Sequence, residues 1–324
     1  MPAPHAPPAR ATIWALRVIG TLLMMSALAL ALSRAPDRPV ESLVARWGLP
    51  PSQFLDVDGQ LVHLRDVGPR ADALPIVLLH GTSDSLHTWD GWVRGLQAGR
   101  RVITLDLPGF GLTGPRADGD YRGDADARVV LRVLDGLQVP RFIVGGNSLG
   151  GEVAWRLATL APERVERLLL VDAAGAPPVG GGTRPLGWTL ARVPGLRRVF
   201  EWVLPRPLVV QGLVAAFADP ARLTDDMVDR VFELTLRDGN RRALVDRLAQ
   251  RSPGADLERL STLRVPTLIL WGAEDRLLPV ATAREFHRRI AGSRQIVLDG
   301  VGHLPQLEAP ERSLQAVRTF LDGV

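Results

Sequence analysis

A serine between two glycines is the first feature of the sequence that indicates chemistry. Residues 146–150 read Gly-Asn-Ser-Leu-Gly, with the serine at position 148. An apolar run precedes this pentapeptide and a helical pattern begins at Leu149, so Ser148 is predicted to lie on a tight turn from a strand to a helix. Such a turn exposes the hydroxyl and directs the positive end of the helix dipole toward it. The pattern therefore predicts that Ser148 is a nucleophile.

A serine nucleophile needs a base, and an acid that orients the base. Of the six histidines, His303 is the best candidate for the base, because it lies on a glycine-containing loop after the last apolar run. Asp275 also follows an apolar run and is the predicted acid, which gives the chain order Ser, Asp, His that is known for such sites. Asp172 follows another apolar run and is the reserve candidate, although capping the next turn is the more ordinary role for it.

The tetrahedral intermediate of acyl transfer needs two backbone N–H donors. The N–H of Leu149, directly after the nucleophile, is the first predicted donor. The second is expected from the loop after the apolar run at 76–80, where the N–H of Thr82 is the best candidate. His80 in the same loop is expected to make structural hydrogen bonds rather than to act as a second base.

Short apolar runs alternate with helix-length segments over most of the chain. The runs are predicted to be strands at 76–80, 101–107, 141–146, 167–172, 266–271 and 294–298, preceded by a hairpin around Asp58-Gly59. Helices are expected between them at about 122–138, 149–160, 280–290 and 311–322. This alternation indicates an α/β protein with a mostly parallel sheet covered by helices on both faces. Residues 176–262 interrupt it and are predicted to form a helical cap insertion.

The N-terminal part of the chain contains an apolar segment that carries few charges. Residues 18–33 are uncharged, and extension toward residue 11 gives about 22 residues, near the length that spans a bilayer. An uncleaved single-span anchor is the favoured interpretation, a cleaved signal peptide is the alternative, and a buried core helix is disfavoured because the segment has no polar face. Arginines lie on both sides of it, so the distribution of positive charge does not decide the orientation. We expect the catalytic domain to lie outside the cytoplasm.

Composition excludes several other classes of function. The chain has 324 residues, a net charge of +4 and no cysteine, which excludes disulfides, thiolate nucleophiles and zinc sites with cysteine ligands. Arginine and acidic residues are interspersed along the whole sequence, so no nucleic-acid partner is expected.

Five segments of the sequence resemble, in order, the motifs of the α/β-hydrolase fold superfamily. They are HGTSDSLHTWDGW, DLPGFGLTG, GGNSLGGEVAW, LILWGAEDRLLP and GVGHLPQLEAPE, and the resemblance covers about residues 54–324. It implies an eight-stranded, mostly parallel sheet with a cap between the sixth and seventh strands. It also implies a triad of Ser148, Asp275 and His303, with neither a metal nor an organic cofactor.

Several features of the sequence differ from particular branches of this family. The serine at the turn differs from the aspartate of epoxide hydrolases and haloalkane dehalogenases. The sequence is similar to carboxylesterases and to the carbon–carbon bond hydrolases of aromatic degradation, but the loop at 80–83 lacks the Gly-Pro-Gly of many of the latter. The N-terminal apolar segment is also absent from the soluble members.

The sequence therefore predicts a serine hydrolase that cleaves a carboxylic ester, with a hydrophobic acyl group, through an acyl-enzyme. An acyltransferase, a perhydrolase or a carbon–carbon bond hydrolase would use the same triad, and a non-catalytic binding scaffold is the alternative from another class. Its expected partners are a small ester substrate and a membrane. The chain is divided into an anchor or signal segment at 1–35, a linker at 36–52 with one short amphipathic turn around Leu43–Trp47, a hydrolase core at 53–175 and 263–324, and a cap at 176–262.

Overall fold

A single eight-stranded sheet forms the centre of the computed structural model, which describes residues 10–193 and 197–323. The strands are β1 (Ser52–Val57), β2 (Gln60–Val67), β3 (Ile76–Leu79), β4 (Val102–Leu105), β5 (Phe142–Asn147), β6 (Val165–Val171), β7 (Thr267–Gly272) and β8 (Arg294–Leu298). Their order across the sheet is β1-β2-β4-β3-β5-β6-β7-β8, with β1 and β2 antiparallel to their neighbours and the others parallel. The predicted α/β fold, including its mostly parallel eight-stranded sheet, is confirmed.

Helices cover both faces of the sheet, because its central strands are apolar on both sides. The helices of this core are α3 (Asp90–Leu96), α4 (Gly123–Gly136), α5 (Leu149–Leu160), α11 (Ala281–Arg289), α12 (Pro305–Glu308) and α13 (Pro310–Asp322). One hydrophobic cluster joins α4, α5 and α11 to the sheet, and a second on the other face joins α3 and α13 to it. Successive residues of β3 alternate between the two clusters, as the pleat of a strand requires.

The segment between β6 and β7, which we call the cap (residues 176–262), is helical. It contains α6 (Leu186–Ala191), α7 (Arg197–Trp202), α8 (Arg206–Ala216), α9 (Asp225–Thr235) and α10 (Asn240–Gln250). Two short 3-10 helices follow α8 and α10, at Pro220–Arg222 and Leu257–Thr262, and a third in the core, Leu86–Trp89, precedes α3.

A segment that we call the strap (residues 33–47) joins the N-terminal helix to the cap. Backbone hydrogen bonds link Ala35 N–H to the Trp202 carbonyl at 3.1 Å and Arg38 N–H to the Leu236 carbonyl at 2.7 Å. The strap ends in helix α2 (Val40–Trp47), which lies within the predicted linker and packs against the cap. The predicted amphipathic turn is therefore a helix with its own tertiary contacts.

The first helix, α1 (Arg10–Leu32), is the apolar segment noted in the sequence. Residues Thr12–Leu32 are long and apolar enough to cross a membrane, and none of that stretch is buried against the rest of the protein. Residues 1–9 of the predicted N-terminal segment, with His5, lie outside the described residues, as does Val324.

Trp47 provides a test of how far the strap contributes to the fold. Its ring is buried with Leu43, Leu112 and Leu234, and its indole N–H donates to Glu233 at 2.8 Å. Truncation leaves a cavity and removes the donor to one oxygen of Glu233, so Trp47→Ala should lower the free energy of unfolding by about 3 kcal/mol. Chemical denaturation in detergent, followed by circular dichroism, measures this change.

The matched control is Leu49→Ala, because Leu49 follows the same helix but is 55% exposed. That change should cost less than about 0.5 kcal/mol. Equal losses for the two variants would show that the strap does not stabilise the fold.

Candidate active site

Ser148 occupies the turn between β5 and α5 in a strained backbone conformation. Its φ is 52° and its ψ is −115°, a region that side chains other than glycine rarely adopt. The turn is held because its N–H donates to the Val171 carbonyl at 3.0 Å and its carbonyl accepts from Ala174 N–H at 2.8 Å. The side chain is 9% exposed, so the turn presents a nearly buried hydroxyl.

The two glycines around the serine are required by close packing of the backbone. A Cβ at Gly150 would lie 2.1 Å from the Leu79 carbonyl oxygen, and a Cβ at Gly146 would lie 2.2 Å from the Gly150 carbonyl carbon. Both distances are far inside van der Waals contact. A side chain at Gly150 would therefore displace the turn from the end of β3, and one at Gly146 would displace the start of α5.

His303 and Asp275 are brought together at the same edge of the sheet. The Asp275 carboxylate lies after β7 and accepts a hydrogen bond from His303 Nδ1 at 2.6 Å. Its other oxygen accepts from the N–H groups of Leu277 and Leu278 at 2.8 and 2.9 Å, so the carboxylate is fixed. With Nδ1 protonated toward Asp275, the other ring nitrogen of His303 is the one that can take a proton.

The loop that carries His303 is anchored from both the core and the cap. His303 N–H donates to the Ala216 carbonyl at the end of α8 at 2.7 Å, and the Asn147 side chain donates to the His303 carbonyl at 2.9 Å. Glu308 accepts from Gly302 N–H at 2.9 Å and from Ala218 N–H at 2.8 Å. The anchoring roles of Asn147 and Glu308 were not predicted, since neither is implied by the spacing of the triad residues.

Asp172, the reserve acid, lies beside this pair. One of its carboxylate oxygens accepts from Gly272 N–H at 2.9 Å, while the other is buried without a partner among the described residues. Complete burial raises the pKa of Asp172 well above its usual value, and the nearby charge of Asp275 raises it further. Burial therefore favours the protonated form of Asp172, whereas Asp275 makes the hydrogen bond to His303.

A metal ion is a second interpretation of these three side chains. Atoms of Asp172, Asp275 and His303 lie within 4.8 Å of one another, close enough to share an ion. However, the His303 nitrogen nearest the acids already bonds to Asp275, and burial favours the protonated form of Asp172. The donor set thus fits a triad better than it fits a cation.

The predicted oxyanion donors lie on either side of the serine. Leu149 is the first residue of α5, directly after Ser148. The loop that contains Thr82 packs against the turn so closely that a Cβ at Gly81 would lie 3.3 Å from the Ser148 Cβ. Thr82 and Ser148 line the same cavity. The structure thus brings both donor segments to the serine.

The other buried histidines make structural contacts. His80 Nδ1 bonds to the Gly81 carbonyl at 2.7 Å and its Nε2 accepts from Leu107 N–H at 2.9 Å, in line with the structural role expected of it. His63 pairs with Asp106 at 2.7 Å. Burial lowers the pKa of His87 to about 3, so that ring stays neutral.

Two cavities meet at Ser148 and His303. The first, of about 170 Å³, is apolar and lies under the cap, with Leu208, Val209 and Leu213 of α8 on its wall. The second, of about 180 Å³, is lined by Arg184, Arg192 and Arg251 among others. The sequence did not predict the second cavity, because its walls come from separate parts of the cap and core.

The sequence of this chain is similar to the sequences of several known proteins. Residues 75–310 match the family model of the alpha/beta hydrolase fold. The chain is 32% identical over 278 residues to the dihydrolipoyllysine-residue acetyltransferase component of the acetoin cleaving system of Pseudomonas putida, covering 84% of this chain and 70% of that protein. It is 29% identical over 286 residues to a 2-hydroxy-6-oxononadienedioate/2-hydroxy-6-oxononatrienedioate hydrolase of Escherichia coli, covering 83% of this chain and 95% of the relative.

Among solved structures, the chain resembles that of a bacterial membrane phospholipase A. The TM-score is 0.72 at 25% identity, and the match covers 97% of this chain and 96% of the other. The matched region thus extends beyond the family model at both ends.

The two acids can be distinguished by substitution with asparagine. Asp275→Asn should lower kcat by about 10⁴-fold, because the amide no longer holds His303 as a base. Asp172→Asn replaces an acid whose burial favours the neutral form, so it should keep activity within about threefold of the wild type. Steady-state hydrolysis of a soluble ester measures both variants. Comparable losses would assign the role of the acid to the pair rather than to Asp275.

The raised pKa of Asp172 also predicts how the stability of the protein changes with pH. The raised pKa lets the folded protein hold the proton of Asp172 to a higher pH than the unfolded chain, which loses it at about pH 4. The contribution of Asp172 to the free energy of unfolding is therefore greatest at acid pH, and it falls as the pH rises toward the raised pKa of the folded state. Asp172→Asn has no such loss, so its melting temperature relative to the wild type should increase between pH 4.5 and pH 7.5. A constant difference across that range would contradict the raised pKa.

Proposed function

This chain belongs to the α/β-hydrolase fold family, and on that premise we propose that it is a serine hydrolase that cleaves carboxylic esters with hydrophobic acyl groups. The observation that carries the proposal is the strained turn at Ser148, which shares a cavity with His303 while His303 bonds to Asp275 at 2.6 Å. A nucleophile, a base and an orienting acid are the parts that acyl transfer needs.

The reaction then proceeds in two halves. The Ser148 hydroxyl attacks the ester carbonyl carbon, and its proton passes to His303, whose positive charge Asp275 stabilises. The N–H groups of Thr82 and Leu149 stabilise the oxyanion, and His303 returns the proton to the departing alcohol. Water, deprotonated by His303, attacks the acyl-enzyme and releases the acid and free Ser148.

The apolar cavity supports a hydrophobic acyl group. Its wall includes Leu204, Leu208 and Leu213 on one side and Leu244 and Val245 on the other. Such a surface binds an alkyl chain by removing it from water, at about 0.8 kcal/mol for each buried methylene. Longer acyl chains are therefore expected to be better substrates until the cavity is filled.

We place the enzyme at a membrane through helix α1, as an uncleaved single span with the catalytic domain outside the cytoplasm. Its length, its apolar composition and its full exposure support an anchor. The strap supports it too, because its hydrogen bonds hold the end of α1 beside the cap. A cleaved signal peptide is the alternative, and sequencing the N-terminus of the membrane-bound protein distinguishes the two.

Carbon–carbon bond cleavage is the second candidate, and similarity to the Escherichia coli 2-hydroxy-6-oxononadienedioate hydrolase favours it. Acyl transfer to an acceptor other than water is a third, since it needs the same acyl-enzyme. Hydrolysis of a 2-hydroxy-6-oxodienoate, followed by its absorbance, would identify the second activity.

Fluorophosphonate labelling tests the nucleophile. The wild type should be labelled and Ser148→Ala should not, because the reagent forms a covalent bond with an activated serine. A folded wild-type protein that resists the reagent would overturn the hydrolase proposal and favour a binding scaffold. Circular dichroism of both proteins controls for folding.

The acyl cavity is tested by filling it. Leu213→Trp should lower kcat/KM for esters of long-chain acids at least about tenfold while leaving acetate esters within twofold, because the indole occupies the space of the chain. Val210→Trp is the matched control, since Val210 lies on the same helix but lines a separate outer groove. Equal effects of the two substitutions would place the acyl group elsewhere.

A further inference from the structure

The second cavity beside Ser148 differs in chemistry from the first. Its wall contains Arg184, Arg192 and Arg251, together with the hydroxyl-bearing residues Thr183 and Thr189. Both cavities include Ser148 and His303 in their lining, so the two open from the reacting atoms in different directions. An ester bound at Ser148 has two parts, an acyl chain and an alcohol, and each cavity can hold one of them.

Two of the three arginines of this cavity have no carboxylate partner among the described residues. In the ranges 10–193 and 197–323, Arg184 and Arg192 form no ion pair with a carboxylate, and Arg192 donates only to the Leu248 carbonyl at 3.0 Å. Arg251 shares Glu152 with Arg156 at 3.4 Å and 3.2 Å respectively. The cavity therefore has an excess of positive charge that a bound anion would compensate.

The charge of the surrounding segment has the same sign. Residues 184–216 contain five arginines and one glutamate, whereas the remainder of the cap, 219–262, contains eight arginines and nine acidic residues. The excess of arginine is thus in the first part of the cap, which contributes Arg184 and Arg192 to the second cavity. It is also the part whose residue Trp202 accepts a hydrogen bond from the strap, next to the end of α1.

We propose that the second cavity binds the alcohol portion of the substrate and that this portion carries a phosphate group. Guanidinium groups bind phosphate through paired, charge-assisted hydrogen bonds. Three arginines line this cavity, and only Arg251 pairs with a carboxylate among the described residues. With the acyl chain in the apolar cavity, the preferred substrate is an acyl ester of a phosphorylated polyol such as glycerol phosphate. This inference rests on the proposed ester hydrolysis and defines its substrate class.

Two esters of octanoic acid, used below their critical micelle concentrations, test the proposal with the full chain in detergent. One is 1-octanoylglycerol and the other is 1-octanoylglycerol 3-phosphate. The wild type should have a kcat/KM about tenfold higher for the phosphate ester. The double variant Arg184→Gln/Arg192→Gln should lose that preference and keep its activity on the uncharged ester within twofold.

Arg242→Gln is the matched control, because Arg242 lies on the cap with 74% of its side chain exposed and lines neither cavity. It should leave both rates unchanged. Equal kcat/KM values for the two esters in the wild type, or an equal loss for both in the double variant, would overturn the phosphate site.

Vesicles of phosphatidylglycerol distinguish the source of the phosphate. If the cavity binds the phosphate itself, the double variant loses activity on both the vesicles and the monomeric phosphate ester. A loss confined to vesicles would show that the arginines attract the membrane surface instead, and would overturn the proposal.

Labelling provides a readout that does not depend on hydrolysis. Glycerol 3-phosphate should slow fluorophosphonate labelling of Ser148 in the wild type but not in the double variant, and glycerol should slow it in neither. If Ser148 is labelled but no ester is hydrolysed, the proposed reaction is wrong, and the effect of glycerol 3-phosphate on labelling still tests the phosphate site. If glycerol 3-phosphate does not slow labelling of the wild type, the proposed phosphate site is wrong, while the proposed ester hydrolysis is unaffected.

Discussion

The backbone of Ser148 is held at φ 52°, and the position of every other part of the site depends on that turn. The conformation is strained, and it is maintained because β6 and α5 bond to it, while Gly150 lets β3 approach it and Gly146 lets the start of α5 approach β5. A parallel sheet places the carboxyl ends of its strands at one edge. The loops after β5, β7 and β8 therefore converge, and they carry Ser148, Asp275 and His303.

The sequence was informative wherever a structural feature is local. The central strands were predictable because they are buried on both faces and hence continuously apolar, and β5 and β7 were placed to within a residue or so. Helix α2 was predicted only as a turn. Eight residues are too few to form a stable helix alone, and what stabilises this one is Leu234 and Glu233, almost two hundred residues later.

The features that were missed depend on how the cap docks. The second cavity is formed by Arg184 and Arg192 from one end of the cap and Arg251 from the other, and no sequence spacing relates them. The environment of Asp172 is similar: its position after an apolar run was visible, but its complete burial beside Asp275 exists only in the folded sheet. Local patterns thus predicted the reacting groups, whereas the tertiary fold determines their protonation and surroundings.

The cap connects the end of helix α1 to the base. Its backbone bonds to the strap through Trp202 and Leu236, and between these two positions in the sequence the Ala216 carbonyl accepts the N–H of His303 at 2.7 Å. Lifting α8 away from the core would break that hydrogen bond and release the loop that aligns His303 with Asp275. The position of the cap and the alignment of the base are therefore coupled. The strap bonds to the same cap at Trp202 and Leu236. The end of α1 is therefore linked through the strap and the cap to the loop that carries His303.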